Sequence, residues 1–195
     1  MKKPVEQLFK LILLTFTGVA GSAIVGLMSY GSDVFNVASP GFLFVSFGLS
    51  GAFIFSFYHM RGLAETITAA VVVSVIQFVG ASPFITMLNA GIWSFGVNIP
   101  MVVLAFIFER KLGPLKQAKF IVVALTYGAM FVLLTLIVSW VSASGSLPAT
   151  LFRQNFTDGL LIGLGLGVGI EGGEAFIHSL KHNDMNTPAP AHKTL

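Results

Sequence analysis

The chain has 195 residues, of which 55% are hydrophobic and only 10% charged, with a formal net charge of +3. A soluble domain carries about 25% charged residues, so this composition excludes a water-soluble fold and points to the lipid bilayer. Its basic residues gather at the ends of apolar segments, which excludes a nucleic-acid partner, and the absence of cysteine excludes disulfides, thiol catalysis and cysteine-ligated metals.

Six apolar segments follow one another, at 8–29, 41–58, 63–80, 91–108, 120–141 and 156–179, each near the roughly 20 residues that a membrane-crossing helix needs. The first follows Lys2, Lys3 and Lys10, as the apolar core of a signal peptide would. It is longer than such a core and no small-residue cleavage site closes it, so it reads as a retained span. Gly18, Ser22 and Gly26 recur in it at four-residue spacing with Gly21 alongside, a pattern that lets helix backbones approach closely in lipid. A polar loop with Asp33, Asn36 and Ser39 comes next. The second segment is rich in Phe and ends at Tyr58-His59-Met60-Arg61-Gly62, immediately before Leu63. Arg61 and Glu65 are four apart and pair if one helix runs through both. His59 is either an interfacial residue or part of a functional turn.

The third segment runs through Gln77 to Gly80-Ala81-Ser82-Pro83, and residues 84–91 are apolar enough to lie in the interface or dip back into the membrane. The fourth contains Asn98 and Pro100, an interruption that membrane helices tolerate where neighbours satisfy the freed backbone groups. Loop 109–119 carries Arg110, Lys111, Lys116 and Lys119. The fifth segment ends at Trp140, an interface anchor. A turn-rich stretch at 142–150 re-enters apolar sequence at Leu151-Phe152, with Arg153, Gln154 and Asn155 at the membrane surface.

The sixth segment has two glycine rows, one of Gly159, Gly163 and Gly167 and another of Gly165, Gly169 and Gly173. At about 100° per residue the rows lie on nearly opposite sides, so this helix is built to approach two neighbours. Glu171, Glu174 and His178 fall within a sector of about 60°. Three readings stay open for them: interfacial groups, a structural pair, or an ion path, the default for carboxylates within a span. Gly167 to Gly172 matches the dinucleotide fingerprint in form alone, since no strand precedes it. The tail, 181–195, is polar and Pro-containing and reads as flexible, behind a single domain at 1–180.

Six crossings put both termini on one side, together with the 59–62 turn and loop 109–119. Ten of the eleven basic residues then share that side, and only Arg153 falls opposite. This bias makes that side the cytoplasm, with a bacterial inner membrane as the expected location.

The order of residues resembles the aquaporin, or major intrinsic protein, superfamily. Gly18-Val19-Ala20-Gly21-Ser22-Ala23 is similar to the family's Gly-x-Gly-Ser-Ala opening helix, with one extra residue between the glycines. The run from Phe47-Gly48-Leu49-Ser50 to His59 and Gly62 resembles its second helix and following turn. Ile67-Thr68-Ala69-Ala70 looks like the segment after its first Asn-Pro-Ala motif, and Gln77-Phe78-Val79-Gly80-Ala81 like its third helix. Ser144-Gly145-Ser146-Leu147-Pro148-Ala149 falls where its outer motif belongs. The resemblance implies an aquaporin-like bundle with Glu65, His59, Pro148, Ala149, Thr150 and Arg153 near a pore. Both defining asparagines are replaced, with Ala64-Glu65-Thr66 at the first motif and Leu147-Pro148-Ala149 at the second, and Thr150 stands where the selectivity arginine would. A looser likeness to six-span substrate-binding components of vitamin importers rests on size, Asn98 and Asn155.

Three functions are therefore expected, in this order. The first is passive transport of water or a small neutral solute. The second is a non-catalytic accessory subunit of a larger membrane complex. The third is an importer component or cation-coupled transporter using Glu171, Glu174 and Asp158. No nucleophile motif or metal-ligand spacing is visible, so neither an enzyme nor a bound metal or cofactor is expected. The expected partners are the lipid bilayer and either further copies of the chain or a larger complex.

Overall fold

The computed structural model describes residues 3–84, 86–111, 119–141 and 149–185. Among the described residues every regular element is helical: α1 (Lys3–Tyr30), a 3-10 helix (Gly31–Phe35), α2 (Phe42–Arg61), α3 (Leu63–Ala81), α4 (Met87–Lys111), α5 (Lys119–Val141) and α6 (Ala149–Met185). Each apolar segment read from the sequence lies on one α-helix. Five helices are long and apolar enough to cross a membrane, as in a multi-pass integral membrane protein, while the apolar part of α2, Phe42–Tyr58, is shorter.

Successive helices pack side by side, and α6 returns to α1 to close the ring. The centre of this ring is filled. Helix α2 touches α4 and α6 as well as its chain neighbours, and between residues 42 and 58 only Leu49 is exposed. A helix that is apolar all round, with no polar stripe, finds its place inside a bundle. Phe44, Phe47, Ile54 and Phe55 of α2 accordingly sit in the core.

The glycine rows of α6 set the closest contacts. A Cβ on Gly163 would run into the Ala124 backbone, and one on Gly167 into that of Phe120, both on α5. On the opposite row, a Cβ on Gly165 would come 2.6 Å from the Gly21 carbonyl oxygen, and one on Gly169 would strike the Thr17 carbonyl, both on α1. Helix α6 is thus wedged between α1 and α5, backbone against backbone. Where lipid tails are as apolar as the side chains, such contact supplies the dispersion that holds helices together. Helix α1 divides its own small residues in the same way. Gly21 faces α6, whereas a Cβ on Gly18 would sit 2.8 Å from Ala52 Cβ, and one on Gly26 2.7 Å from Phe44 Cβ. Between them the Ser22 hydroxyl donates to the Phe44 carbonyl at 2.7 Å.

Several connections differ from the sequence reading. Arg61 and Glu65 do not share a helix: α2 ends at Arg61, Gly62 turns the chain at φ 86°, and α3 begins at Leu63. A left-handed φ suits glycine, which carries no Cβ to clash. The turn is held by the Gly62 N–H bonded to the Tyr58 carbonyl at 3.0 Å and by the Thr66 hydroxyl on the Gly62 carbonyl at 2.6 Å. Loop 30–40 is not simply a polar loop, because its 3-10 helix buries Val34 completely, against Gly26. Residues from Met87 onward belong to α4 rather than to a re-entrant segment. Helix α6 starts at Ala149, so Leu151 to Asn155 form its opening turns instead of a surface loop. Residues 181–185 continue α6 rather than fraying into the tail. Residues 186–195, most of loop 109–119 and stretch 142–148 lie outside the described residues.

Candidate functional site

The pore candidates carried by the resemblance are not brought together. Glu65 is exposed in the first turn of α3, and His59 lies in the last turn of α2. Ala149, Thr150 and Arg153 are exposed on the opening turns of α6, and Pro148 lies outside the described residues. Helices α3 and α6 make no contact, which keeps Glu65 apart from Thr150 and Arg153. Both helices also run unbroken, with no half-helix turning back inside the bundle among the described residues.

The intramembrane charge candidates Glu171, Glu174 and His178 stay together on the continuous helix α6. Glu171 is half-buried and accepts the Phe120 N–H at 3.4 Å. The first N–H groups of α5 have no intrahelical acceptor, so this carboxylate on a neighbouring helix caps them. Glu174 is half-buried and His178 exposed. Asp158 is buried at the α1–α6 contact, where the Tyr30 hydroxyl donates to its Oδ2 at 2.8 Å and Gln154 Nε2 donates to that hydroxyl at 3.4 Å. One turn away, Asn155 Nδ2 donates to Thr135 Oγ1 at 2.7 Å, tying α6 to α5.

The polar groups that do converge lie between α2, α3 and α4. On α3, Ala70, Ser74, Gln77 and Ala81 recur at intervals of three and four; on α4, Gly91, Ser94, Asn98 and Met101 do the same. Such spacing places each set on one face of its helix. Asn98, fully buried, donates from Nδ2 to Gln77 Oε1 at 2.6 Å and to Ser74 Oγ at 3.3 Å. Gln77 Nε2 in turn donates to the Ser46 carbonyl at 3.1 Å and to Ser50 Oγ at 3.2 Å. Ser50 and Tyr127 both donate to the Phe47 carbonyl, at 3.4 and 2.8 Å. One chain of neutral hydrogen-bonding groups therefore joins α4, α3, α2 and α5. With a helical rise of 1.5 Å per residue, Asn98 stands about 16 Å along α4 from its start at Met87.

The direction of this chain is fixed at one end by the backbone. The Ser46 carbonyl only accepts, so Gln77 must turn its amide nitrogen towards it and its oxygen towards Asn98. Asn98 must then present nitrogen to Gln77. Its Oδ1 is left facing away, and it has no hydrogen-bond partner. Thr15 Oγ1 and Ser56 Oγ are also unmet, but a hydroxyl can rotate to seek a carbonyl one turn back. The Asn98 amide, held by two bonds, cannot. Two residues on, Pro100 sits inside α4 and lacks the N–H that would bond the Gly96 carbonyl, which loosens the same stretch of helix.

In the sequence Asn98 stood out for its nearness to Pro100 and in the looser likeness to importer components, and Ser46, Ser50, Ser74 and Gln77 carried no site expectation. The signal available was the heptad-like recurrence of small and polar residues on two adjacent segments. No protein-family model, curated protein or solved structure matches the chain.

Proposed function

We propose that the chain is a six-span protein of a bacterial inner membrane, with both termini in the cytoplasm, that passes a small neutral solute. The observation that carries this reading is the uncharged character of the converging polar groups: serine hydroxyls and the Gln77 and Asn98 amides, reaching far into the bundle. Such groups offer hydrogen bonds to a neutral molecule and no countercharge to an ion. Among the described residues, Asp158 is the buried carboxylate, and Tyr30 already occupies it. Glu171 is similarly engaged at the start of α5, which weakens a cation-coupled mechanism. The proposal does not rest on aquaporin-like half-helices, which α3 and α6 would have to supply.

The sixth crossing is α2. Its apolar part is 17 residues long by its bounds, Phe42–Tyr58, about 25 Å of helix. That length is short for a lipid-facing span but sufficient for one shielded by its neighbours, and Arg61 at its end can reach for the interface. Because the chain has no cysteine, single cysteines report the topology cleanly. On intact cells an impermeant thiol reagent is expected to label Ser32→Cys and to reach Lys111→Cys only after permeabilisation. Labelling of both from outside would overturn the orientation.

The transport reading is tested in liposomes holding the purified protein, by following volume after a jump in glycerol, urea or an impermeant osmolyte. At least one of the three is expected to equilibrate several-fold faster than across protein-free vesicles. Rates equal to protein-free vesicles for all three would sink it. A second reading, an accessory subunit of a membrane complex, is favoured by the filled ring and the backbone contacts of α6, which suit a rigid scaffold. Stoichiometric co-purification with larger subunits from the native membrane would support that reading over transport.

A further inference from the structure

We infer that the Asn98 side-chain oxygen is the binding point for a small neutral molecule of the urea or primary-amide class, admitted between α3 and α4 from the end where α3 stops at Ala81 and α4 starts at Met87. The inference rests on the solute-passing reading and names the substrate class of that same site.

Asn98 is fully buried, and its oxygen has no partner while its nitrogen has two. A buried acceptor without a donor has lost its water and recovered nothing, and the amide orientation set from the Ser46 carbonyl leaves it no alternative. What the oxygen lacks is an N–H or O–H donor. A cation would recruit further oxygens, and the described groups bonded to Asn98, those of Gln77 and Ser74, include no carboxylate. An anion would meet the oxygen's own negative end. A neutral donor is the chemistry that fits.

The approach is marked on the same face of α4. Gly91 is seven residues from Asn98, within about 20° of it around the helix. A Cβ there would meet nothing closer than the Phe78 ring edge at 3.9 Å, so at this position α4 contributes no side chain to its seam with α3. Ser94 lies between the two, buried and on that face. A serine hydroxyl one helical turn from Asn98 adds a group able to donate to or accept from the same small molecule.

The probe is acetamide, with glycerol for comparison, used on the full chain. In micelles, [15N]asparagine-labelled protein is titrated with acetamide and the Asn98 side-chain resonance, identified by its loss in Asn98→Leu, is followed. In liposomes, acetamide flux is measured for the natural chain, Asn98→Leu and Gly91→Phe. The expected result is a saturable shift of the Asn98 resonance and acetamide flux reduced roughly tenfold in Asn98→Leu, as for a site that loses its one directed hydrogen bond. Gly91→Phe closes the seam without touching the polar chain, so it should abolish flux even if Asn98→Leu folds poorly. A shift without any flux keeps the binding site and overturns the solute-passing reading. Flux unchanged in both variants, with no shift, overturns the site and keeps that reading. No shift and no flux overturns both.

Discussion

Gly167→Ala is expected to cost the bundle about 3 kcal/mol or more, at or above the upper end of ordinary overpacking, whereas Gly172→Ala is expected to leave it unchanged. The two glycines lie five residues apart on one helix and differ only in what they face. A Cβ on Gly167 would coincide with the Phe120 backbone, while at Gly172 it would meet nothing within 4 Å. A flexible side chain can swing aside for a methyl group. A helix backbone cannot, so α6 and α5 must move apart along their length and forfeit the dispersion gained at Gly163 and Gly159 too. Gly163→Ala should behave like Gly167→Ala for the same reason. Lipid offers little hydrophobic drive to push the helices back together. The check is the midpoint of thermal unfolding in mild detergent, followed by size-exclusion profile. Equal midpoints for Gly167→Ala and Gly172→Ala would mean that α6 does not sit backbone to backbone on α5.

Phe131→Ala should lower stability by about 2–3 kcal/mol, chiefly through the cavity it leaves. Phe131 is fully buried at the point where α5 meets α2 and α4. Its ring stands 5.6 Å from that of Phe47, edge to face, and 5.4 Å from that of Trp93, with Tyr127 at 6.5 Å. Each such pair adds about 0.5–1.5 kcal/mol in soluble proteins. The transfer component is smaller here, because an unpacked phenylalanine in this chain would still lie in lipid. What remains is lost contact around a ring-sized void. Trp93 touches that void and Trp140 is 85% exposed, so in a Trp140→Phe background the emission of Trp93 reports the site directly. Phe131→Ala should shift that emission and lower the unfolding midpoint together. Unchanged Trp93 emission would contradict the aromatic contact between α4 and α5.

The helices and the glycine rows were legible before any tertiary structure, whereas the candidate site was not. Hydrophobic runs and four-residue glycine spacing are local properties, repeated along one segment. Gln77 and Asn98 are isolated amides in separate segments, 21 residues apart, and neither shows its partner in the sequence around it. Glu171 shows the opposite error. It reads as an intramembrane charge with an open role until α5 is placed beside it and its carboxylate is found on the Phe120 N–H. Glu65, Thr150 and Arg153 drew attention through motif position, a one-dimensional likeness that does not decide which helices touch.

The sequence by itself determined that this is an all-helical chain for a membrane, where its apolar helices fall, and that α6 carries two opposed glycine faces. Composition, segment length and the helical period act on each stretch alone, and no neighbour can change them. Only the tertiary structure decided that α2 is the helix at the centre, that α6 is held between α1 and α5, and that one buried asparagine oxygen is left without a donor. Those outcomes depend on which surfaces meet, and in lipid that choice is made by close fit and by pairing of buried polar groups rather than by hydrophobicity, which every helix here shares.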